Sequence, residues 1–160
     1  SKQPRTSQPN NTPVMFMKDF VAEQMNASGK LQHRLEGKLL RQIKHNEQTN
    51  LTQPKLTWYS DQGVPWQITA IQSIAAPDGS KISFEGDAEI KRIAASIHNP
   101  LRITSERFMV RPDEQTISSD LLVTIELAEG RATAVGFRAH FEDEEIHLLN
   151  QVEGVYVHAK

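Results

Sequence analysis

From Ile82 to Lys91 the chain alternates without a break. Ile82, Phe84, Gly86, Ala88 and Ile90 are apolar or glycine, and Ser83, Glu85, Asp87, Glu89 and Lys91 between them are polar. Period-two alternation over this length predicts a β-strand with one buried and one wet face. Ahead of it Trp66, Ile68 and Ala70 alternate with Gln67 and Thr69, and Pro77-Asp78-Gly79-Ser80 supplies a turn. The plan recurs downstream: Leu101, Ile103 and Ser105 lead in, Pro112-Asp113 turns, and Ile117, Ser119, Leu121, Val123 and Ile125 share one face. It recurs upstream with a turn at His45-Asn46-Glu47-Gln48, although the phase slips near Pro54, since Leu51 is odd while Leu56 and Trp58 are even. A bulge or an edge strand is expected there, because proline cannot donate a ladder hydrogen bond.

One phrase marks the copies: an apolar residue, any residue, then a small one. It reads Leu35-Glu36-Gly37, Ile68-Thr69-Ala70, Ile103-Thr104-Ser105 and Phe137-Arg138-Ala139, with its small residues 33, 35 and 34 positions apart. Spacing this regular predicts four hairpin-like copies of one unit. The fourth copy turns at Glu142-Asp143-Glu144-Glu145 and resumes at Ile146. A half unit precedes them all, with a strand over Phe16–Met25 and a turn at Asn26-Ala27-Ser28-Gly29. No segment carries a sustained helical period with caps. The prediction is an all-β domain of about ten or more strands, mostly antiparallel.

Stacking the copies aligns Leu35, Ile68, Ile103 and Phe137 on the leading strands, and Leu51, Ile82, Ile117 and Ile146 on the return strands. Periodicity leaves two readings of this stripe open. It is either the ordinary core of two facing sheets or the lining of an incompletely closed apolar trough.

Composition narrows the function classes. The 160 residues suit one domain over 14–160, after a disordered tail or linker at 1–13 in which Pro4, Pro9 and Pro13 stand among Ser, Gln and Asn. The net charge of −2 offers no basic field for nucleic acid, and the absence of Cys excludes disulfides and thiolate chemistry. The six histidines have no metal-ligand spacing. Gly-x-Ser-x-Gly and the phosphate-binding glycine loop are both absent. Glu85, Asp87 and Glu89 read as a solvated sheet face, and Glu142 to Glu145 as a solvated turn. Trp58, Tyr59 and Trp66 around Ser60-Asp61-Gln62-Gly63 read as cross-strand packing or as an aromatic sugar platform. No catalytic residue, metal site or cofactor is expected.

Several strings together resemble the LptC family: Leu51-Thr52-Gln53-Pro54-Lys55-Leu56-Thr57-Trp58-Tyr59, Pro65-Trp66-Gln67-Ile68-Thr69-Ala70, Phe84 to Ile90, Ile103 to Phe108, Gly136 to Ala139 and Leu148 to Tyr156. The likeness runs from about Val14 to Val157. It implies a periplasmic, twisted antiparallel β-jellyroll open along one seam, in the lipopolysaccharide export machinery of Gram-negative bacteria. The implied groove for acyl chains is carried by Phe20, Leu35, Leu51, Ile68, Ile82, Phe84, Ile103, Ile117, Phe137, Ile146 and Leu148. The implied N-terminal edge, with Phe16 and Phe20, meets the inner-membrane LptB–LptF–LptG transporter. The C-terminal edge, with Val152, Val155, Tyr156 and Val157, pairs with LptA. The resemblance leaves a homodimer open and implies a membrane-spanning helix ahead of the domain, a segment this chain lacks. A soluble LptA-like bridge and a carbohydrate-binding jellyroll are the alternatives.

Overall fold

The computed structural model describes residues 13–43, 47–59, 64–92, 101–143 and 145–156. Eleven strands run in chain order: β1 (Pro13–Met25), β2 (Leu31–Ile43), β3 (Thr49–Thr52), β4 (Lys55–Trp58), β5 (Trp66–Thr69), β6 (Gln72–Ala75), β7 (Ile82–Arg92), β8 (Leu101–Arg111), β9 (Thr116–Leu127), β10 (Gly130–His140) and β11 (Glu145–Tyr156). All pair antiparallel within one sheet, each long strand beside the next in sequence. The pairs β3/β4 and β5/β6 are single strands broken midway: β3 and β4 both pair β2, and β5 and β6 both pair β7. The result is a nine-stranded meander with β1 and β11 as its edges. Most of the expected tail, residues 1–12, lies outside the described residues, and Pro13 already belongs to β1.

The breaks line up across the sheet. Asp19 (φ 51°), Gln53 (49°), Gly86 (89°), Asp87 (45°), Gly136 (93°) and Gln151 (50°) all take left-handed backbone within or between strands. Side-chain-bearing residues adopt that region rarely, and β-bulges are a place where they do. The chain remains hydrogen-bonded across this line, with Gln53 N–H donating to Ile71 O (2.8 Å) and Ile71 N–H to Gly86 O (3.0 Å). Buried Ser105 and Ser119 join hydroxyls at 3.0 Å beside the same line, and Ser105 Oγ donates to Leu122 O. The line is a corner at which the sheet folds into two layers. The first holds the first half of β1, the second of β2, β3, β6, and the parts of β7 to β11 nearest the turns at 76–81, 112–115 and 141–143. The second holds the remaining halves, with β4 and β5.

The corner explains the phase slip near Pro54. Inward-facing positions change parity in five strands: Leu35 to Leu40, Leu51 to Leu56, Ile68 to Ser73, Ser105 to Phe108, and Ala134 to Phe137. Pro54 therefore marks a bulge inside the sheet; β3 and β4 are not an edge. Three expectations change. The phrase Phe137-Arg138-Ala139 starts just past the corner, whereas Gly37, Ala70 and Ser105 stand at it. Leu121, expected inside with Val123, is exposed on the bend. Asp87 leaves the acidic face for the bulge.

The core lies between the layers. Trp58, Ile68, Ile90, Ile103 and Val123 come from one side, and Phe84, Phe108, Val110, Ile117 and Phe137 from the other. Phe108 and Phe137 meet edge to face, with centroids 5.8 Å apart.

Candidate functional site: the mouth between the layers

Opposite the corner, the two layers end in turns. The backbone hydrogen bonds at this end stay within a layer: Tyr59 N–H donates to Gln32 O, and Phe141 N–H to Gln115 O. No strand pairing among the described residues ties one layer to the other here. Among the described residues, side-chain contacts close the mouth.

Three rings do much of this. Trp58, at the end of β4, is stacked on one face by His33 of β2 (centroids 4.9 Å apart, planes 17° apart). Its other contact is Phe141, in the turn of the opposite layer, at 4.4 Å and 10°. The Trp58 indole Nε1 and the His33 Nδ1 are buried without a hydrogen-bond partner. Burial holds the His33 pKa below the ordinary histidine value by penalising the charged ring. The polar atoms thus add no hydrogen-bonded lock, and ring contact carries the closure.

Two apolar voids flank the rings. One, of about 120 Å³, lies among Leu35, Leu56, Trp58, Ile82 and Pro112, with His33, Glu23 and Gln24 on its β1–β2 side. The other, of about 20 Å³, lies among Trp66, Ile103, Ile117, Phe137, Phe141 and Ile146. The larger void has room for several waters and the smaller for about one. The interior is packed in this conformation.

The anticipated groove residues fall into two groups. Phe20, Leu35, Ile82, Ile146 and Leu148 are half-buried, and all but Phe20 lie against the rim of the core. Ile68, Phe84, Ile103, Ile117 and Phe137 are fully buried in it. Leu51 is buried too, but apart from them, over Gly37 at the corner. Sequence periodicity picked out this stripe but missed Phe141 and His33 as closing residues. Phe141 sits in a turn, where no period applies, and its signal was only that of an aromatic beside a four-acid run.

A cleft of about 810 Å³ opens on the outside of the first layer. Glu85, Arg107, Met109, Ser118 and Arg138 line it. Cross-strand partners share a face, and these residues pair with one another while Phe84 pairs with Phe108 on the inner side. The cleft is lined by polar and apolar groups together, and Phe137 of the core reaches its floor.

The other candidate chemistry disperses. Trp58 and Trp66 pair across β4 and β5 and are buried, so they form no exposed sugar platform; residues 60–63 lie outside the described residues. Glu85 accepts from Ser83 Oγ (2.8 Å), and Glu89 binds Arg102, which also reaches Glu126 (2.9 Å). His45, His98, His158 and Glu144 lie outside the described residues. Among the described residues no group of three His, Asp or Glu is placed to hold a metal, and no helix is long and apolar enough to cross a membrane.

Both sheet edges are open. On β1, Phe16 is 62% exposed, and on β11 Val152 and Val155 are 54% and 66% exposed. Tyr156 contributes backbone to β11, paired with Gly130, and Val157 lies outside the described residues.

Over residues 1–157 the sequence matches the family described as lipopolysaccharide-assembly, LptC-related. Among solved structures the fold is similar to LptH of Pseudomonas aeruginosa, described as the LptA-homologous periplasmic component of the conserved lipopolysaccharide transport device. The TM-score is 0.51 at 6% identity, covering 92% of this chain and 98% of that one. At that identity the likeness is one of fold, and the folded-over meander is a β-jellyroll of this kind. No curated protein matches the sequence.

Proposed function

The chain belongs to the LptC-related lipopolysaccharide-assembly family, which makes it a periplasmic component of lipopolysaccharide transport, and we propose that it carries lipopolysaccharide by its acyl chains between the two layers of the jellyroll. The observation that carries this reading is the mouth. The layers are joined at the corner by the strands that bend through it, and opposite it no strand pairing among the described residues links them. They can part there without breaking a strand ladder, exposing an apolar floor.

Each methylene kept from water is worth about 0.8 kcal/mol, so a multi-chain lipid left exposed is disfavoured by tens of kcal/mol. Phe20, Leu35, Ile82, Ile146 and Leu148 meet the acyl chain first, at the rim. Leu51, Ile68, Phe84, Ile103, Ile117 and Phe137 form the floor as the layers separate. Sugars and phosphates remain in water. Shielding of this kind makes and breaks no covalent bond, so the protein acts as a carrier and not as an enzyme.

The open edges give the carrier its place in a chain of transfer. Unpaired N–H and C=O groups on an edge strand template a further strand. In this reading β1, with Phe16 and Phe20, faces the LptB–LptF–LptG transporter. The β11 edge, with Val152, Val155, Tyr156 and Val157, pairs with LptA and passes the lipid on. The reading includes inner-membrane attachment through a segment ahead of Ser1. A second copy of this chain is a competing occupant of either edge.

Photo-crosslinkers at Ile82 and Ile146 test the path, with Lys81 and Arg107 on the outer face as controls. Lipopolysaccharide is expected to label the rim pair several-fold more strongly. Equal labelling at all four positions would overturn the interior path. Truncation before Val152 should leave a folded domain that no longer captures LptA, and retained capture would place the handover elsewhere.

A further inference from the structure

We propose that the stack of Phe141 on Trp58, backed by His33, is the gate of this interior: the closure an acyl chain displaces to pass from the β1 side of the mouth to the β11 side. The inference rests on the reading above and adds to it a named moving part. Trp58 belongs to one layer and Phe141 to the other, so their contact spans the mouth. Trp58 lines the void beside β1 and β2, and Phe141 lines the void beside β10 and β11. The stacked rings therefore stand between the two voids, one on the β1–β2 side of the mouth and one on the β10–β11 side.

The two sides of the stack are built differently. Trp58 stands in β4, paired with His33 on β2 and Trp66 on β5, so its backbone is fixed by ladders on both sides. Phe141 stands in the turn after β10, outside the ladder, where its N–H donates to Gln115 O. The mobile leaf is Phe141 and the fixed post is Trp58. With the buried Trp58 N–H unpartnered, swinging Phe141 away breaks ring contacts and no side-chain hydrogen bond. Its apolar ring surface is then covered by the incoming methylenes, which makes the exchange selective for an acyl chain over a polar ligand.

Stopped-flow uptake of 11-(dansylamino)undecanoic acid by the full chain tests this, comparing wild type with Phe141→Ala and Phe141→Leu. Opening the stack should raise the association rate of Phe141→Ala by about threefold or more, with Phe141→Leu between it and wild type. If Phe141→Ala loses its cooperative unfolding transition, Phe141→Leu carries the comparison. In a Trp66→Phe background Trp58 is the single indole, since the chain has two tryptophans, and its emission should change as probe binds. Equal rates in wild type and variants, or bound probe with unchanged Trp58 emission, would overturn the gate while leaving the acyl path intact. Failure of the wild type both to take up probe and to crosslink lipopolysaccharide at Ile82 and Ile146 would sink the path itself, and the gate with it.

Discussion

Gly37→Ala, set beside Leu51→Ala and the double variant, tests whether the corner is built as described. A Cβ at position 37 would lie 2.4 Å from both Cγ and Cδ1 of Leu51 and 2.8 Å from Cδ2. Leu51 is 2% exposed, and the clash reaches its Cγ, so turning its terminal methyls does not relieve it. Overpacking of this kind costs about 1–3 kcal/mol, partly offset by the ~0.5–1 kcal/mol that alanine gains over glycine within a strand. A net loss near 1–2 kcal/mol is expected. With a urea m-value of about 2 kcal/mol/M, that moves the midpoint down by roughly 0.5–1 M. Leu51→Ala alone should cost about 2–5 kcal/mol, as for a buried leucine. In its background the added methyl at position 37 meets no leucine, so Gly37→Ala should become neutral or slightly stabilising. The coupling between the sites is then about 1–2 kcal/mol, well above the ~0.5 kcal/mol within which independent sites add. Urea titrations followed by tryptophan fluorescence measure all four proteins, since Trp58 and Trp66 are both buried. Additive losses in the double variant would refute the idea that Gly37 is small because Leu51 occupies its side-chain space.

Gly136→Ala should cost about 1–2 kcal/mol for a different reason, its φ of 93°, and Leu149→Ala should not rescue it; rescue in denaturant titrations would make the defect steric. Phe84→Asp should unfold the domain, because Phe84 is fully buried and an unpaired carboxylate there costs several kcal/mol; a native-like circular dichroism spectrum and melting temperature would contradict the packed interior. Burial lowers the His33 pKa in the folded chain, so below the ordinary value of about 6.5 the unfolded chain binds the proton first and unfolding takes it up. Stability from this group is therefore full above about pH 6.5 and falls as pH drops towards the lowered folded value. His33→Phe should flatten that slope in denaturant titrations across pH 5–8, and an unchanged slope would remove His33 from the pH response.

The strands were legible because each half-strand keeps a clean period of two. The β7 pattern and the turns at Asn26-Ala27-Ser28-Gly29 and Pro77-Asp78-Gly79-Ser80 stand in the structure where they were expected. The corner was partly legible: the parity change from Leu51 to Leu56 is one of five such changes, and read together they would have revealed the bend. Leu121 was misplaced because the period was carried straight across it. The apolar stripe was legible as a stripe, and its division into rim and floor was not. Leu35 and Ile68 occupy equivalent steps of the repeat, yet Leu35 sits beside the 120 Å³ void and Ile68 deep in the core. Which step is covered depends on the opposing layer.

By itself the sequence determined the local pattern: strand, turn and face, since alternation and turn chemistry act over a few residues. It also carried family membership, because enough short strings survive in order. Only the tertiary structure decided that the meander folds along one line of bulges, that stacked rings close the mouth, and that Phe141 meets Trp58. Position 141 is 83 residues beyond position 58, and no periodicity relates them. Their contact exists because the corner brings opposite layers face to face, a long-range consequence of the bend in every strand.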